Sequence, residues 1–179
     1  MKKFNIPRFI FFLVLVNGLI ISCVNRQKEC NDVIPKMESV KSDPTIVFNL
    51  IDCLHESNKK VISLASITFQ QNKNKKTLQL LLDIKKDQQK IDSDLKKLTE
   101  KNLIIIPKLD SPLPNLDSLK AKKSYSYLLK TLQSEIKNQI IILDNLEKSS
   151  ENVGFKTFSK RSKTILLTNK KELEKTLNT

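Results

Sequence analysis

Glycine is nearly missing from this chain: only Gly18 and Gly154 occur in 179 residues. Phosphate-cradling loops, dinucleotide-binding turns and tightly turned β-sandwiches all draw on positive φ or close backbone approach, so this scarcity argues against each of them. Tryptophan is absent and aromatics make up 6% of residues, with no stripe of rings between the basic side chains. Single-strand nucleic-acid binding relies on such stacking platforms, and nucleic acid is not expected as a partner. His55 is the single histidine. A serine–histidine–acid set can be assembled only by invoking it, Cys-x-x-Cys does not occur, and the residues imply neither catalysis nor a cofactor. Beside Leu54 on a helix, His55 reads as a half-buried structural residue. Asp92 and Asp94, two positions apart, do not face each other on a helix and are expected on a solvated face.

A long apolar run is also lacking. The stretch from Phe9 to Ile21 is broken by Asn17-Gly18 and is too short for a bilayer core, which takes about 20 residues. It follows Lys2, Lys3 and Arg8 and ends in Ile20-Ile21-Ser22-Cys23. A basic start, a short apolar core and a small residue before the cut describe a secretory signal over residues 1–22. Ile20-Ile21-Ser22-Cys23 resembles the bacterial lipobox, which implies cleavage before Cys23 and lipid on that cysteine. Several acyl chains hold a protein on a membrane, each buried methylene contributing about 0.8 kcal/mol. The alternatives are an ordinary signal peptide with a chance cysteine and a single inner-membrane anchor helix. The lipid-anchored reading locates the protein in the bacterial cell envelope, at the outer membrane rather than the inner. Export brings oxidising conditions, in which Cys30 and Cys53 form an even pair suited to a disulfide or remain two free thiols. Residues 23–42 read as a polar tether between the membrane and the folded domain.

The formal net charge is +13, three units of which sit on Lys2, Lys3 and Arg8, so that ten remain after removal of the signal. Such a surplus favours anionic partners, among them lipid headgroups and acidic envelope polymers, although lysine is also the ordinary solvated residue of many proteins.

What the chain does have is helical periodicity. Between Lys75 and Lys101, Leu81, Ile84, Ile91, Leu95 and Leu98 fall at steps of three and four, on one helix face, interrupted by Gln88. A helix apolar on one side needs others to cover its stripe. Asp43-Pro44 starts an earlier helix, with Asp43 as cap and Pro44 in the first turn, running to about Gln71 through Val47, Ile51, Leu54, Val61, Ala65 and Phe69. Asn72-Lys73-Asn74 allows only an antiparallel turn-back. Leu103-Ile104-Ile105-Ile106-Pro107, with Pro112 and Pro114 beyond, reads as a link whose isoleucines plug one end of the bundle, followed by a short helix at 115–121. A third helix from Lys122 to Lys148 carries Tyr125, Leu129, Leu132, Ile136, Leu143 and Leu146. Ser149-Ser150 are placed to cap a fourth, from Glu151 to Leu177, with Phe155, Phe158, Ile165, Leu166 and Leu173. The expected fold is all-α: an antiparallel four-helix bundle over residues 43–179, made of two helical hairpins joined by a proline-containing link. The comparable length and pattern of the hairpins hint at an internal duplication.

Each stripe is interrupted by one amide. Asn58 shares the heptad frame of Ile51 and Ala65, Gln88 that of Leu81 and Leu95, Gln139 that of Leu132 and Leu146, and Asn169 that of Phe155 and Ser162. All four lie near mid-helix and are expected to meet in one buried polar layer, since a carboxamide both donates and accepts.

The pattern Ile84-Lys85-Lys86-Asp87-Gln88-Gln89-Lys90-Ile91, then Leu95 to Leu98 and a hydrophobic run ending in Pro107, resembles the second helix of the domain of unknown function 4142 family. Tyr127-Leu128 through Leu146-Glu147-Lys148, and Leu166-Leu167 with Leu173 and Leu177, resemble that family's second hairpin. The resemblance implies a ferritin-like bundle in an exported or envelope-anchored bacterial protein. Family members usually carry an Asp-His pair on the second helix and histidines on the third and fourth. Here the corresponding residues are Asp87-Gln88, Glu135, and Asn169 or Lys170. A ferritin-type di-metal centre takes two Glu-x-x-His sets, which one histidine does not provide, and carboxamides bind redox metals poorly. The reading is a divergent, metal-free member with a binding or structural role, its partner an anionic polymer or another envelope protein. The alternatives are a ferritin-like metal protein or oxidase, and an electrostatic adaptor for anionic envelope polymers.

Overall fold

The computed structural model describes residues 44–106 and 125–178. The expected signal segment, Cys23, Cys30, the expected tether, Asp43 and residues 107–124, where the link and short helix are expected, lie outside the described residues.

The described residues form four helices: α1 (Pro44–Gln70), α2 (Lys75–Lys101), α3 (Tyr125–Ser149) and α4 (Val153–Leu177). Helix α1 opens on Pro44, where the missing N–H removes no intrahelical bond. Helix α2 is capped by Asn74, whose side chain accepts from the amides of Lys76 and Thr77 at 3.0 and 3.2 Å. The start of α4 differs from expectation. Ser149 continues α3, and Asn152 is the cap, its Oδ1 accepting from Gly154 and Phe155 at 2.8 and 3.4 Å. Ser150 instead accepts from the Asn152 amide at 3.2 Å. A Cβ on Gly154 would lie 2.9 Å from Leu98 Cδ1, so the glycine lets α4 begin tight against α2.

Cross-helix pairs fix the directions. His55–Asp92 joins α1 to α2, Lys60–Glu135 joins α1 to α3, Arg161–Asp94 joins α4 to α2, and Lys163–Asp144 joins α4 to α3. In each pair of helices residue numbers rise along one partner as they fall along the other, so every neighbour is antiparallel. The order around the bundle is α1–α2–α4–α3, with α2 and α3 parallel across one diagonal. The chain leaves α2 beside the start of α4, where Asn152 Nδ2 donates to Asn102 Oδ1 at 2.7 Å. It enters α3 at the opposite end, where Asn72 Nδ2 donates to Tyr125 Oη at 2.7 Å. One long crossover between two hairpins is the connectivity of ferritin-like bundles.

The core runs the length of the bundle. Leu54, Val61, Leu64, Ile84, Leu95, Leu128, Leu132, Ile136, Leu143, Leu146, Leu166 and Leu173 are wholly buried, and Phe155 nearly so. Burial of each such side chain contributes on the order of 1.5–3 kcal/mol. Outside this core, the expected isoleucine plug at the end of α2 forms only in part. Leu103 is 92% and Ile105 83% exposed, while Ile104 and Ile106 are half-buried. Leu103 has φ 56°, its amide donates to Glu100 O at 3.1 Å, and Ile104 N donates to Thr99 O at 2.9 Å. These two bonds are the Schellman closure of a helix end, with leucine in the left-handed position that glycine ordinarily fills. Beyond the closure the side chains alternate between exposed and half-buried through Ile106.

A leucine there strains the backbone and buries nothing in return. Leu103→Gly is expected to raise stability by about 0.5–1 kcal/mol, measured by urea denaturation of the purified protein.

Candidate functional site

The bundle interior changes character at mid-length. Asn58, Gln88 and Gln139 are all completely buried there, on three different helices. Gln88 Nε2 donates to Gln139 Oε1 at 2.8 Å, and Gln139 Nε2 donates back to Gln88 Oε1 at 3.0 Å and to Asn58 Oδ1 at 2.9 Å. The reciprocal pair spans the α2–α3 diagonal, so it crosses the centre of the core. The amide of Asn58 brings in α1. Periodicity puts these side chains inside, because each occupies a place in its stripe that an aliphatic residue fills one heptad away.

The fourth amide does not join them. Asn169, on α4 and 5% exposed, donates through Nδ2 to Asp87 Oδ2 at 3.1 Å. The expected four-member layer is therefore a trio plus a separate amide–carboxylate pair. An ionised carboxylate is a stronger acceptor than a neutral amide, and Asp87 sits next to Gln88 on the same helix within reach of α4. Sequence reasoning treated Asp87 as one half of a lost ligand pair, and the signal that it partners Asn169 was available only in the helix order.

The trio is not fully satisfied. Asn58 Nδ2 is buried without a hydrogen-bond partner, as are Ser57 Oγ and Ser159 Oγ. Turning all three amides over together would preserve each bond and orphan Asn58 Oδ1 instead, so the shortfall belongs to the arrangement. An unpaired buried donor costs about 1–3 kcal/mol.

The other polar residues singled out from the sequence are taken up in pairs between helices. His55 Nδ1–H donates to Asp92 Oδ1 at 2.7 Å, Arg161 Nη2 to Asp94 Oδ2 at 2.6 Å, and Lys60 Nζ to Glu135 Oε1 at 2.5 Å. Asp92 and Asp94 are thus engaged across helices, and are not merely solvated as expected. Their sequence offset of two sends one toward α1 and the other toward α4. Glu135 faces the Lys60 ammonium. Among the described residues no group of three histidine, cysteine or acidic side chains is placed to hold a metal ion. Cys53 is buried and disulfide-bonded, and its expected partner Cys30 lies outside the described residues.

Two groups, Tyr125 at the start of α3 and Lys163 on α4 beside Asp144 and Glu147, have raised pKa values. Burial pushes the Tyr125 phenol above its ordinary 10.0, partly offset by a hydrogen bond with Thr77. Lys163 is held above 10.5 chiefly by its hydrogen bond to Asp144, with Glu147 adding to it. No family model, curated protein or solved structure matches the chain.

Gln139→Leu leaves Asn58 and Gln88 buried and unpaired, and should cost about 2–4 kcal/mol in chemical denaturation. The triple Asn58→Leu/Gln88→Met/Gln139→Met variant removes every member and should fall within about 1 kcal/mol of wild type. Both Tyr125 and Lys163 bind their protons more tightly when folded. Their contribution is therefore complete below pH 10 and lost as pH rises through the raised values, which a stability–pH series should show as a decline above pH 10.

Proposed function

We propose that the protein is a lipid-anchored component of the bacterial cell envelope whose ferritin-like bundle has a non-catalytic binding or structural role. The observation that carries this reading is the sequence Ile20-Ile21-Ser22-Cys23 at the end of a basic-then-apolar leader. Cys23 is the acylated residue, and the following polar residues tether the bundle to the outer membrane. The disulfide at Cys53 accords with an oxidising compartment. No helix among the described residues is long and apolar enough to cross a membrane, so within them the bundle offers no anchor of its own.

The bundle supports a non-catalytic role through its interior. Mid-core positions that could carry imidazole or carboxylate ligands carry carboxamides bonded to one another. His55, Glu135 and Asp87 are each committed to a partner. A di-metal oxidase on this scaffold would need those groups turned inward as ligands. A second reading, an electrostatic adaptor for anionic envelope polymers, is favoured by the basic surplus and predicts binding that weakens as salt shortens the screening length.

Metabolic labelling with a radioactive or alkyne fatty acid in a bacterial host tests the anchor. Label is expected on the full chain and lost in Cys23→Ala; unlabelled wild-type protein would contradict the reading. Metal analysis of the purified mature protein tests the interior, and stoichiometric iron, manganese or zinc would establish the oxidase or metal-protein alternative instead.

A further inference from the structure

One end of the bundle carries a surface that the packing does not explain. Leu103, Ile105 and Val153 are 92%, 83% and 75% exposed. They sit together, because the neighbouring residues Asn102 and Asn152 are hydrogen-bonded at 2.7 Å and Gly154 brings α4 against Leu98. Phe48, in the first turns of α1 and 39% exposed, lies at this same end. Monomeric proteins scatter single apolar side chains widely, but such a cluster marks a contact surface.

Three further observations point to what it contacts. The first is position: α1 begins at Pro44 at this end of the bundle. The second is charge. Lys97, Lys101, Lys148 and Lys156 are exposed in the turns around the apolar cluster and have no ion-pair partner among the described residues. Of the nearby acids, Glu100 is paired with Lys96 at 4.0 Å, Glu147 with Lys160 and Lys163 at 3.7 and 3.3 Å, and Glu151, exposed two residues before Val153, is also engaged. Lys101 and Lys148 also complement the carboxyl ends of α2 and α3, yet those dipoles do not call for Lys97 or Lys156. The third is strain. Leu103 is held in the left-handed region at a helix closure that glycine would make at lower cost, and its side chain projects into solvent.

We infer that this end is a membrane-docking face: Leu103, Ile105 and Val153 enter the headgroup–acyl boundary while the surrounding lysines meet anionic lipid. Apolar side chains within a basic rim are the surface form of interfacial membrane binding, in which hydrophobic and electrostatic attraction add. The inference deepens the anchor reading and rests on it for the membrane's being at hand; the surface belongs to the bundle itself. It makes the protein seated rather than free on its tether, with the long axis of the bundle standing off the bilayer.

The test uses the chain from residue 23 carrying Cys23→Ser, which cannot be acylated. The buried core among the described residues runs from Leu50 to Leu173 and is retained whole. Flotation with vesicles in which about one lipid in three is anionic is compared with neutral vesicles. The expected result is binding to the anionic vesicles that falls about tenfold or more in Leu103→Asp/Ile105→Asp/Val153→Asp. The control, Leu82→Asp/Ile141→Asp/Leu167→Asp, changes charge equally on the flanks and should bind nearly as wild type. Lys97→Gln/Lys101→Gln/Lys148→Gln/Lys156→Gln should weaken binding to anionic vesicles only, by roughly fivefold per lysine at low salt. Circular dichroism confirms that each variant is helical. Absence of binding by the Cys23→Ser chain would overturn the inference, and so would equal losses in the end and flank variants, or self-association through the end face that vesicles do not compete away. Fatty-acid labelling of the full chain runs alongside. Its failure would remove the acyl anchor while leaving vesicle binding as evidence for the face.

Discussion

The mutual hydrogen bonding of Gln88 and Gln139 across the core diagonal, with Asn58 attached, is the constraint on which the arrangement of this bundle turns. Leucine and isoleucine stripes bury apolar area well in several registers, since hydrophobic attraction has little direction. A carboxamide in the same interior has to meet another at about 3 Å, or forfeit the bond and keep the desolvation cost. Sliding α3 by one turn against α2 would break both bonds of the reciprocal pair. The trio thus selects one alignment among those the stripes allow, as a single buried asparagine does in a coiled coil.

That constraint acts between the two hairpins, where the chain itself supplies little. Within each hairpin a short turn sets the register, through Asn72 to Asn74 in one and Ser150 to Asn152 in the other. The hairpins are joined by a connection from one end of the bundle to the other, too long to align them. The amide trio, the Asn169–Asp87 pair and the ion pairs Lys60–Glu135 and Arg161–Asp94 all lie across the hairpin boundary. The surface pairs contribute little energy each. Their value is in orientation, and they repeat at the rim the alignment that the amides set at the centre.

Much of this could be read from the residues. Period and spacing located α2 at its observed bounds, and the interruption of each stripe by an amide identified Asn58, Gln88, Gln139 and Asn169 as interior. A heptad frame carries that information, because a residue seven positions from a buried leucine returns to nearly the same face. Which interior groups meet depends on the order of helices around the bundle, and no single helix encodes it. Asn169 was therefore placed correctly in burial and wrongly in partner. The Leu103–Ile106 segment failed for another reason. Its residues are as apolar as the core, but they follow a helix closure in left-handed conformation that leaves Leu103 and Ile105 facing water and Ile104 and Ile106 half-buried. The cap of α4 was misplaced by two residues because serine and asparagine are nearly equivalent as caps, and only the reach of α3 decides between them.

Side-chain amide hydrogen exchange tests the central claim most directly. In the folded protein, the NH2 protons of Gln139 should exchange with solvent only through global opening, and scalar coupling across the hydrogen bonds should connect them to the carbonyls of Gln88 and Asn58. Gln139 NH2 protons that exchange as fast as those of an exposed glutamine such as Gln89 would show that the interior is not closed by this contact.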